Sequence, residues 1–226
     1  LLLGLAGERA LLRPPVGRSA LAVDSQGRPL IARFRLDAEL LDARGVSYAI
    51  GRMGRRPRAA ELSLYSAYAC VSGDSLRAEV GFDLDPLVPA FGVNDTVPVC
   101  VRQLRLRWWP LPLVAGHWLL AAGQSHPAGR RIGVGDTLRV HVHVEPEDEA
   151  LPPEAAFEEA IGGGPRLLRD GQVAVEYAPE KLSQAFAQER HPRTAVGYSR
   201  DGRVLYMVVG AGRQPGYSVG MSLEEL

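Results

Sequence analysis

Hydrophobic and polar positions alternate over short stretches along most of the chain, and this pattern predicts strands rather than long helices. Turn-forming residues separate the stretches, as is typical of β-rich proteins. The turns Asp24–Gly27 and Arg200–Gly202 each predict a hairpin. The predicted strands are Ser19–Val23, Leu30–Leu36, Val46–Ile50, Glu61–Tyr65, Leu76–Leu84, Val97–Trp108, Thr137–Val144, Thr194–Tyr198 and Val204–Val209.

Two of these strands carry a prediction about burial. In the strand Val97–Trp108, Leu104 and Leu106 alternate with arginines, which predicts that the leucines lie on a buried face and the arginines on a wet one. The run Val204–Val209 is apolar without interruption. Such a run is typical of a central strand that is covered on both faces.

Helical signals are few. Pro152–Ala160 has proline and acidic residues in its opening turn, and Glu180–Glu189 has apolar residues at helical spacing. Ser222 and Glu225 form the sequence of a capping box, which predicts a further helix start. We therefore expect an α+β fold with a mainly antiparallel or mixed β-sheet and two or three short helices. Residues 1–150 are expected to form a β-rich N-terminal part, and residues 151–226 a motif-bearing part.

Composition limits the partners. The 226 residues are 46% hydrophobic and 23% charged, with 26 basic and 26 acidic residues, so no net field favours nucleic acid or a membrane surface. Gly (25) and Pro (17) are abundant, which favours turns over long helices. The apolar start, Leu1–Leu5, is too short for a signal-peptide core or a spanning helix. No membrane insertion is expected within this chain.

Cysteine and histidine each leave two interpretations open. Cys70 and Cys100 are the only cysteines, and they are either one disulfide or two ordinary buried thiols. His141 and His143 share one strand face and could bind a metal, but no third ligand accompanies them at a suggestive spacing. An exposed face with two histidines is the favoured interpretation.

A basic turn and an aromatic pair are also ambiguous. Arg52–Arg58 contains four arginines and could hold a polyanion, but no aromatic residues interleave to stack bases, which favours a solvated turn. Trp108–Trp109 could stack on a sugar, although a core or edge position is more usual for tryptophan.

The strongest candidate site combines glycine-rich and arginine-bearing turns. Gly162–Gly164 can approach a ligand closely because glycine has no Cβ. Arg193 and Arg213 offer planar, permanently charged groups that suit phosphate or carboxylate. Together they predict a site for an anionic, oxygen-rich ligand. Taken singly, each motif also has an ordinary structural interpretation. Gly162–Gly164 could be a flexible turn after a helix, Arg193 a surface residue where a strand begins, and Arg213 part of a solvated loop.

The order and spacing of these motifs resemble the phosphodiester glycosidase family. Three separated motifs in the same order are more specific than any one glycine run. The matching segments are Ala160–Leu167, His191–Gly197 and Gly212–Leu223, with weaker landmarks at Glu61–Tyr65 and Gly133–Asp136.

The resemblance implies hydrolysis of a sugar-1-phosphodiester to free sugar and a phosphomonoester. It implies that Arg193 and Arg213 hold the phosphate, that Gly162, Gly163 and Gly164 shape the sugar pocket, and that Thr194 and Ser218 are hydroxyl contacts. It also implies an extracytoplasmic location and a phosphorylated carbohydrate or cell-envelope glycan as partner. No cofactor is expected, and the need for a divalent cation stays open.

The chain departs from the family pattern in three places. The family expects Asp-Gly-Arg where this chain has Ala211-Gly212-Arg213, which removes a candidate carboxylate. The family segment Asn-Leu-Asp-Gly-Gly-Gly-Ser is expected after the predicted helix that begins at Ser222, and an early Asn-Gly-Asp/Gly-Phe-Phe segment before Leu1. We therefore expect a fragment that is incomplete at both ends relative to the family. Two alternatives to an active enzyme follow: a glycan- or phosphate-binding module that has lost its chemistry, and a structural envelope protein.

Overall fold

The computed structural model describes residues 4–6, 9–12, 17–24, 26–66, 76–88, 94–109, 116–147 and 157–226. Strands dominate this part of the chain, and it contains two short helices, α1 (Ala128–Arg131) and α2 (Gln184–Gln188). The strands are β1 (Gly4–Ala6), β2 (Arg9–Leu12), β3 (Arg18–Asp24), β4 (Pro29–Leu41), β5 (Ser47–Ala49), β6 (Arg52–Met53), β7 (Leu62–Ser66), β8 (Leu76–Pro86), β9 (Thr96–Trp109), β10 (Trp118–Ala122), β11 (Thr137–Pro146), β12 (Phe157–Gly162), β13 (Leu168–Arg169), β14 (Gln172–Val173), β15 (Arg193–Tyr198) and β16 (Leu205–Gly210).

The chain divides into two compact units. The first comprises Leu1–Gly4, Pro14–Arg35 and Glu145–Leu226, and the second comprises Leu5–Arg13 and Leu36–Val144. All residues of the candidate site belong to the first unit.

The second unit is built on a sheet in the strand order β11-β9-β8-β10-β7-β6. Its pairings are antiparallel except for β6 with β7, which are parallel. Leucines, valines and aromatic residues from these strands form a core in which Leu62, Tyr65, Phe82, Leu119 and Leu138 are fully buried. Because successive residues of a strand point to opposite faces, the fully buried Leu119 and Leu120 show that both faces of β10 are covered in this mixed sheet.

In the first unit, β3 pairs antiparallel with β12 on one side and with β4 on the other. The predicted hairpin is present: Gly27 has φ of 75°, and its N–H donates to the carbonyl of Asp24 at 2.9 Å. Smaller sheets follow, one of β13 with β14 and one of β15 with β16. The α+β prediction with a mixed sheet and short helices is confirmed.

The predicted helix Pro152–Ala160 is wrong over residues 157–160, which lie in β12; residues 151–156 fall outside the described residues. Pairing with β3 overrides the weak local helical signal here, as Ala160 faces Ala22 in the ladder. The second predicted helix, Glu180–Glu189, shortens to α2, because Ser183 caps it by accepting the N–H of Phe186 at 3.1 Å. At the end of the chain, the N–H of Ser222 donates to Glu225 Oε2 and the N–H of Glu225 donates to Ser222 Oγ, as a capping box requires.

Both predictions about burial are wrong. In β9, Val97, Val99 and Val101 are buried, whereas Leu104 and Leu106 are exposed. The register with β8 shifts between these two groups, so strict alternation does not continue along the strand. In β16, Leu205–Val209 are all exposed. This strand pairs with β15 in a two-stranded sheet, so no second layer covers it among the described residues.

The ambiguous signals resolve in part. The rings of His141 and His143 stack with their centroids 5.9 Å apart, which confirms that they share a strand face, although both are half-buried rather than exposed. In the basic turn, Arg52 and Arg58 pair with Glu61, while Arg55 and Arg56 are exposed.

The cysteine and tryptophan predictions are only partly accessible. Cys100 is a half-buried free thiol, but Cys70 and the side chains of Trp108 and Trp109 lie outside the described residues.

Candidate functional site

The glycine turn Gly162–Gly164 extends the β12–β3 ladder beyond its last strand residue. Gly162 faces Ala20, and the N–H of Gly163 then donates to the carbonyl of Ser19 at 2.9 Å. Gly163 and Gly164 are exposed. The turn therefore forms a surface without side chains, as the sequence predicts for a close-approach site.

Gly164 has to be glycine in this position. Its φ of 123° lies in a region that residues with a Cβ rarely adopt. A Cβ there would also overlap Oε2 of Glu180 and come within 3.3 Å of the Glu180 Cδ. The third glycine of the motif thus allows a carboxylate to lie directly against the backbone.

Glu180 is a buried carboxylate that sequence reasoning missed. Its residue is 1% exposed, and it accepts hydrogen bonds from Ser19 Oγ at 2.6 Å, from the N–H of Ser19 at 3.2 Å and from the N–H of Arg166 at 3.1 Å. Ser19 is 161 positions away in the sequence. Because the two residues are so far apart in the sequence, no local pattern predicts this contact. At the start of a predicted helix, Glu180 has the features of an ordinary acidic residue.

Arg18 lies beside Glu180 without a close bond to it. Its side chain is 10% exposed, and Nη1 is 3.9 Å from Glu180 Oε2, which is beyond hydrogen-bond distance. Nε and Nη1 of Arg18 are buried and have no hydrogen-bond partner among the described residues. Unsatisfied buried donors are costly, and those of a charged group more so.

The arginine of the glycine motif has a structural partner. Arg166 Nη2 is 3.0 Å from Glu176 Oε2, and Arg169 Nη2 is 2.7 Å from Glu176 Oε1. One carboxylate thus joins both arginines of the segment that follows the triple glycine. These ion pairs stabilise the segment after the triple glycine. The backbone N–H of Arg166, in the same segment, donates to Glu180.

Arg193 is a buried residue whose guanidinium binds backbone carbonyls. Nη2 donates to the carbonyls of Phe186 at 2.6 Å and Glu189 at 2.9 Å, and Nε donates to the carbonyl of Met221 at 3.2 Å. The guanidinium carbon also lies 4.8 Å from the centre of the Phe186 ring. These contacts connect the end of α2, the start of β15 and the segment around Met221.

Arg213 differs from Arg193 because it is exposed. Its φ is 57°, and its Nη2 donates to Nδ1 of His191 at 3.0 Å. Arginine has no acceptor, so Nδ1 must accept, and the imidazole hydrogen of the neutral ring is on Nε2. His191 Nε2 lies 3.3 Å from Glu189 Oε2. Arg213 thus contacts His191, and His191 in turn lies beside Glu189.

A close backbone contact holds the two arginine turns together. His191 and Met221 form an antiparallel bridge, with N–H to carbonyl distances of 3.2 and 3.0 Å. Next to it, Gly220 has φ of 93°, and a Cβ there would lie 2.5 Å from the carbonyl carbon of His191. The bridge explains how Arg193 and Arg213, 20 positions apart in number, come to contact the same segment.

The two predicted hydroxyl contacts have different environments. Ser218 Oγ donates to the carbonyl of Ala211 at 2.7 Å and accepts the N–H of Gly220 at 3.4 Å, so it stabilises the turn that carries Arg213. Thr194 is exposed on β15, opposite Val209 of β16.

Contacts therefore bring Arg193, Arg213 and Ser218 around the His191–Met221 bridge, and they bring the triple glycine together with Glu180 and Arg18. Within the described residues, no group of three His, Cys, Asp or Glu side chains is arranged to hold a metal ion. No helix in that part of the chain has the length and apolar character needed to cross a bilayer.

The fold is shared with two solved structures. A protein from Synechocystis described as hypothetical is 22% identical, with a TM-score of 0.67, over 100% of this chain and 39% of its own length. A protein from Burkholderia pseudomallei K96243, described as a candidate exported protein, is 19% identical, with a TM-score of 0.64, over 99% of this chain and 51% of its own. The chain therefore spans about half or less of the structures it resembles. At this level of identity the likeness shows the fold, and no curated protein matches the chain.

The described part of the chain is an α+β domain with a mixed sheet, and a family model now assigns it to a family. Residues 111–226 match the model of the phosphodiester glycosidase family. The match covers more than half of the chain and all three motifs on which the resemblance rested. The chain belongs to the phosphodiester glycosidase family.

Proposed function

We propose that this chain is the sugar-phosphodiester-binding part of a hydrolase that releases free sugar and leaves a phosphomonoester. The observation that carries the proposal is the family match over residues 111–226, joined to an exposed guanidinium, Arg213, within the matched region. A phosphodiester is a monoanion, and a fixed guanidinium both binds it and stabilises the charge that gathers on the leaving oxygens.

Within this proposal the two arginines contribute differently. Arg213 is accessible and retains N–H groups beyond the one that His191 accepts, so it would contact the phosphate. Arg193 would support it by holding the His191–Met221 bridge through its carbonyl contacts. Gly162, Gly163 and Gly164 would line the sugar pocket, with Thr194 and Ser218 as hydroxyl contacts.

We also propose an extracytoplasmic location, with a phosphorylated carbohydrate or cell-envelope glycan as the partner. The description of the Burkholderia protein as a candidate exported protein supports the location. The balanced charge of 26 basic and 26 acidic residues gives no support to nucleic acid as a partner.

The activity is tested by incubating the full-length protein that contains this chain with UDP-N-acetylglucosamine or a simple N-acetylglucosamine 1-phosphodiester and measuring released free sugar. We expect Arg213→Gln to reduce release at least tenfold, because the mutant side chain carries no charge to stabilise the phosphate oxygens. Arg203→Gln, an exposed arginine in the turn before β16, is the matched control and should release sugar at the original rate. No sugar release from the unmodified full-length protein would contradict the activity.

A second function, a glycan- or phosphate-binding module without catalysis, is favoured by Ala211. This residue stands where the family has aspartate, and its position is exposed, so an aspartate side chain can be accommodated. Ala211→Asp should leave a pure binding module inactive but restore sugar release in an enzyme that lacks only this carboxylate. Titration with mannose 6-phosphate, with and without Arg193→Ala, tests binding; equal affinities would dismiss any contribution of Arg193.

A further inference from the structure

The β15–β16 hairpin exposes an apolar face. In its antiparallel register, Val196 lies opposite Met207, and Tyr198 lies opposite Leu205. Because alternate residues of a strand share a face, Val209 lies on the same side as Met207 and Leu205. Met207 is 79% exposed and Val209 78%. Soluble monomers rarely expose large contiguous apolar patches, and the patches that they do expose often mark interaction sites.

The strand edges of the hairpin are also open. Among the described residues, β15 pairs only with β16, so each strand has one edge without a strand partner there. An isolated two-stranded hairpin is at best marginally stable in water, and an open edge is a template for a further strand. Both observations predict that more polypeptide packs on this hairpin.

The last residues of the chain lie at one end of the same hairpin. Met221 forms an antiparallel bridge with His191, two positions before β15 begins at Arg193. A Cβ at Gly210, the last residue of β16, would lie 3.1 Å from the Sδ of Met221. The first strand, β1, belongs instead to the sheet that contains β3 and β4. Polypeptide that continues from the C-terminal end therefore starts close to the exposed face.

The two solved structures indicate how much polypeptide can accompany this fold. The chain spans 39% of the Synechocystis protein and 51% of the Burkholderia protein, so about half or more of each lies outside the matched region. The exposed face itself indicates the chemistry of what covers it. None of its side chains named above is charged, so the face fits an apolar segment rather than an ionic one.

We propose that this face of the hairpin is a docking surface for an apolar segment that follows Leu226 in the full-length protein. The segment buries Leu205, Met207 and Val209, and the hairpin becomes an inner part of a larger layer. A segment of the same polypeptide packs there without the loss of translational freedom that a separate partner incurs. The proposal concerns packing alone and does not depend on the proposed activity.

The test places the photo-reactive residue benzoylphenylalanine at position 207 of the full-length protein and maps cross-linked peptides by mass spectrometry. A mixture of isotopically labelled and unlabelled protein separates cross-links within one molecule from cross-links between two. We expect cross-links within one molecule to peptides that follow Leu226. The matched control carries the same residue in place of Val134, an apolar side chain that is 62% exposed in a turn of the second unit. Its yield should be roughly tenfold lower, because cross-linking requires contact.

Three outcomes would overturn the proposal. Cross-links between labelled and unlabelled molecules would identify a second copy of the protein as the cover. Cross-links confined to residues 1–226 of one molecule would identify a cover from within this chain. Absence of cross-links above the control would show that the face is bare in the full-length protein.

A second variant decides if the bulky residue at position 207 prevents folding. Cysteine is close to valine in size, so Val209→Cys is tested by maleimide labelling of the full-length protein, with each site resolved by mass spectrometry. Its thiol should react about tenfold or more slowly than that of Val134→Cys, because a covered site reacts only when the cover opens. Equal rates would contradict burial of the face.

Discussion

The first unit contains two regions that reverse the usual relation between polarity and burial. Around Glu180, charged and polar side chains are buried: Arg18, Ser19, Arg166 and Glu180 are each at most 9% exposed. In the β15–β16 hairpin, a continuous apolar run is exposed, with Met207 at 79% and Val209 at 78%. Burial here follows from which elements pack together, and hydropathy along the chain does not predict it.

The difference has a physical basis in hydrogen bonding and layer packing. The buried polar groups near Glu180 are tolerated because most of them are bonded to one another, and the bonds join β3, the glycine turn and the segment before α2. The two strands of the hairpin pair only with each other within the described residues, and the apolar side chains of Leu205–Val209 are exposed there. Four predictions sharpen this contrast.

Removing the buried carboxylate should have the largest effect. Glu180→Ala would leave the Arg18 charge and three donors without their acceptor, and the free energy of unfolding should fall by about 3–5 kcal/mol. Urea unfolding measures the change. The exposed Glu189→Ala is the control and should change stability by less than about 1 kcal/mol. A small effect of Glu180→Ala would mean that the polar region is not buried in solution.

Filling the space above the carboxylate should have the next largest effect. Gly164→Ala combines an unfavourable φ of 123° with overlap of Glu180 Oε2, and it should cost about 2–3 kcal/mol. Gly163→Ala, one residue away and facing open space, should change stability by no more than about 0.5 kcal/mol. Thermal unfolding of the two variants provides the comparison, and equal Tm values would contradict the described contact between Gly164 and Glu180.

Asp24 is also a buried polar group, but its hydrogen-bond partners, Gln26 and Arg28, lie within four residues of it in the sequence. Burial alone would raise the pKa of Asp24, but hydrogen bonds from the backbone and side chain of Arg28 and from the backbone of Gln26 together lower it. A lowered folded pKa means that the ionised carboxyl stabilises the fold above its unfolded pKa of about 3.9, and that this contribution is lost as the pH falls through the folded value.

Asp24→Asn should therefore cost about 1 kcal/mol at pH 7, with the difference from the original chain shrinking below about pH 4. Unfolding by urea at a series of pH values measures it. A difference that does not vary with pH would show that the charge on Asp24 is unimportant.

Polar substitutions in the exposed hairpin should have the smallest effect. Met207→Ser and Val209→Ser each remove apolar surface that is already in water, so stability should change by no more than about 0.5 kcal/mol. Phe34→Ala, in the buried part of the same unit, should cost about 3–5 kcal/mol. A loss above about 2 kcal/mol for Met207→Ser would show that the hairpin is covered in solution.

Several features were predictable because their causes are local. The β3–β4 hairpin follows from turn residues between apolar runs, and the capping box at Ser222 follows from two side chains three residues apart. The glycine and arginine motifs identified the family for the same reason, since order and spacing along the chain are sequence properties. Asp24 and Gly27 are likewise local, as the turn forms within one hairpin.

The chain by itself determined the α+β class, most strand positions and membership of the phosphodiester glycosidase family. Only the tertiary structure decided that residues 157–160 form a strand, that Leu205–Val209 are exposed and that Glu180 lies beneath Gly164. The physical reason is range: turns and caps depend on neighbours a few residues away, whereas burial and long-range hydrogen bonds depend on partners such as Ser19 and Glu180, which are 161 positions apart. Periodicity along one strand cannot specify which layer, if any, will cover it.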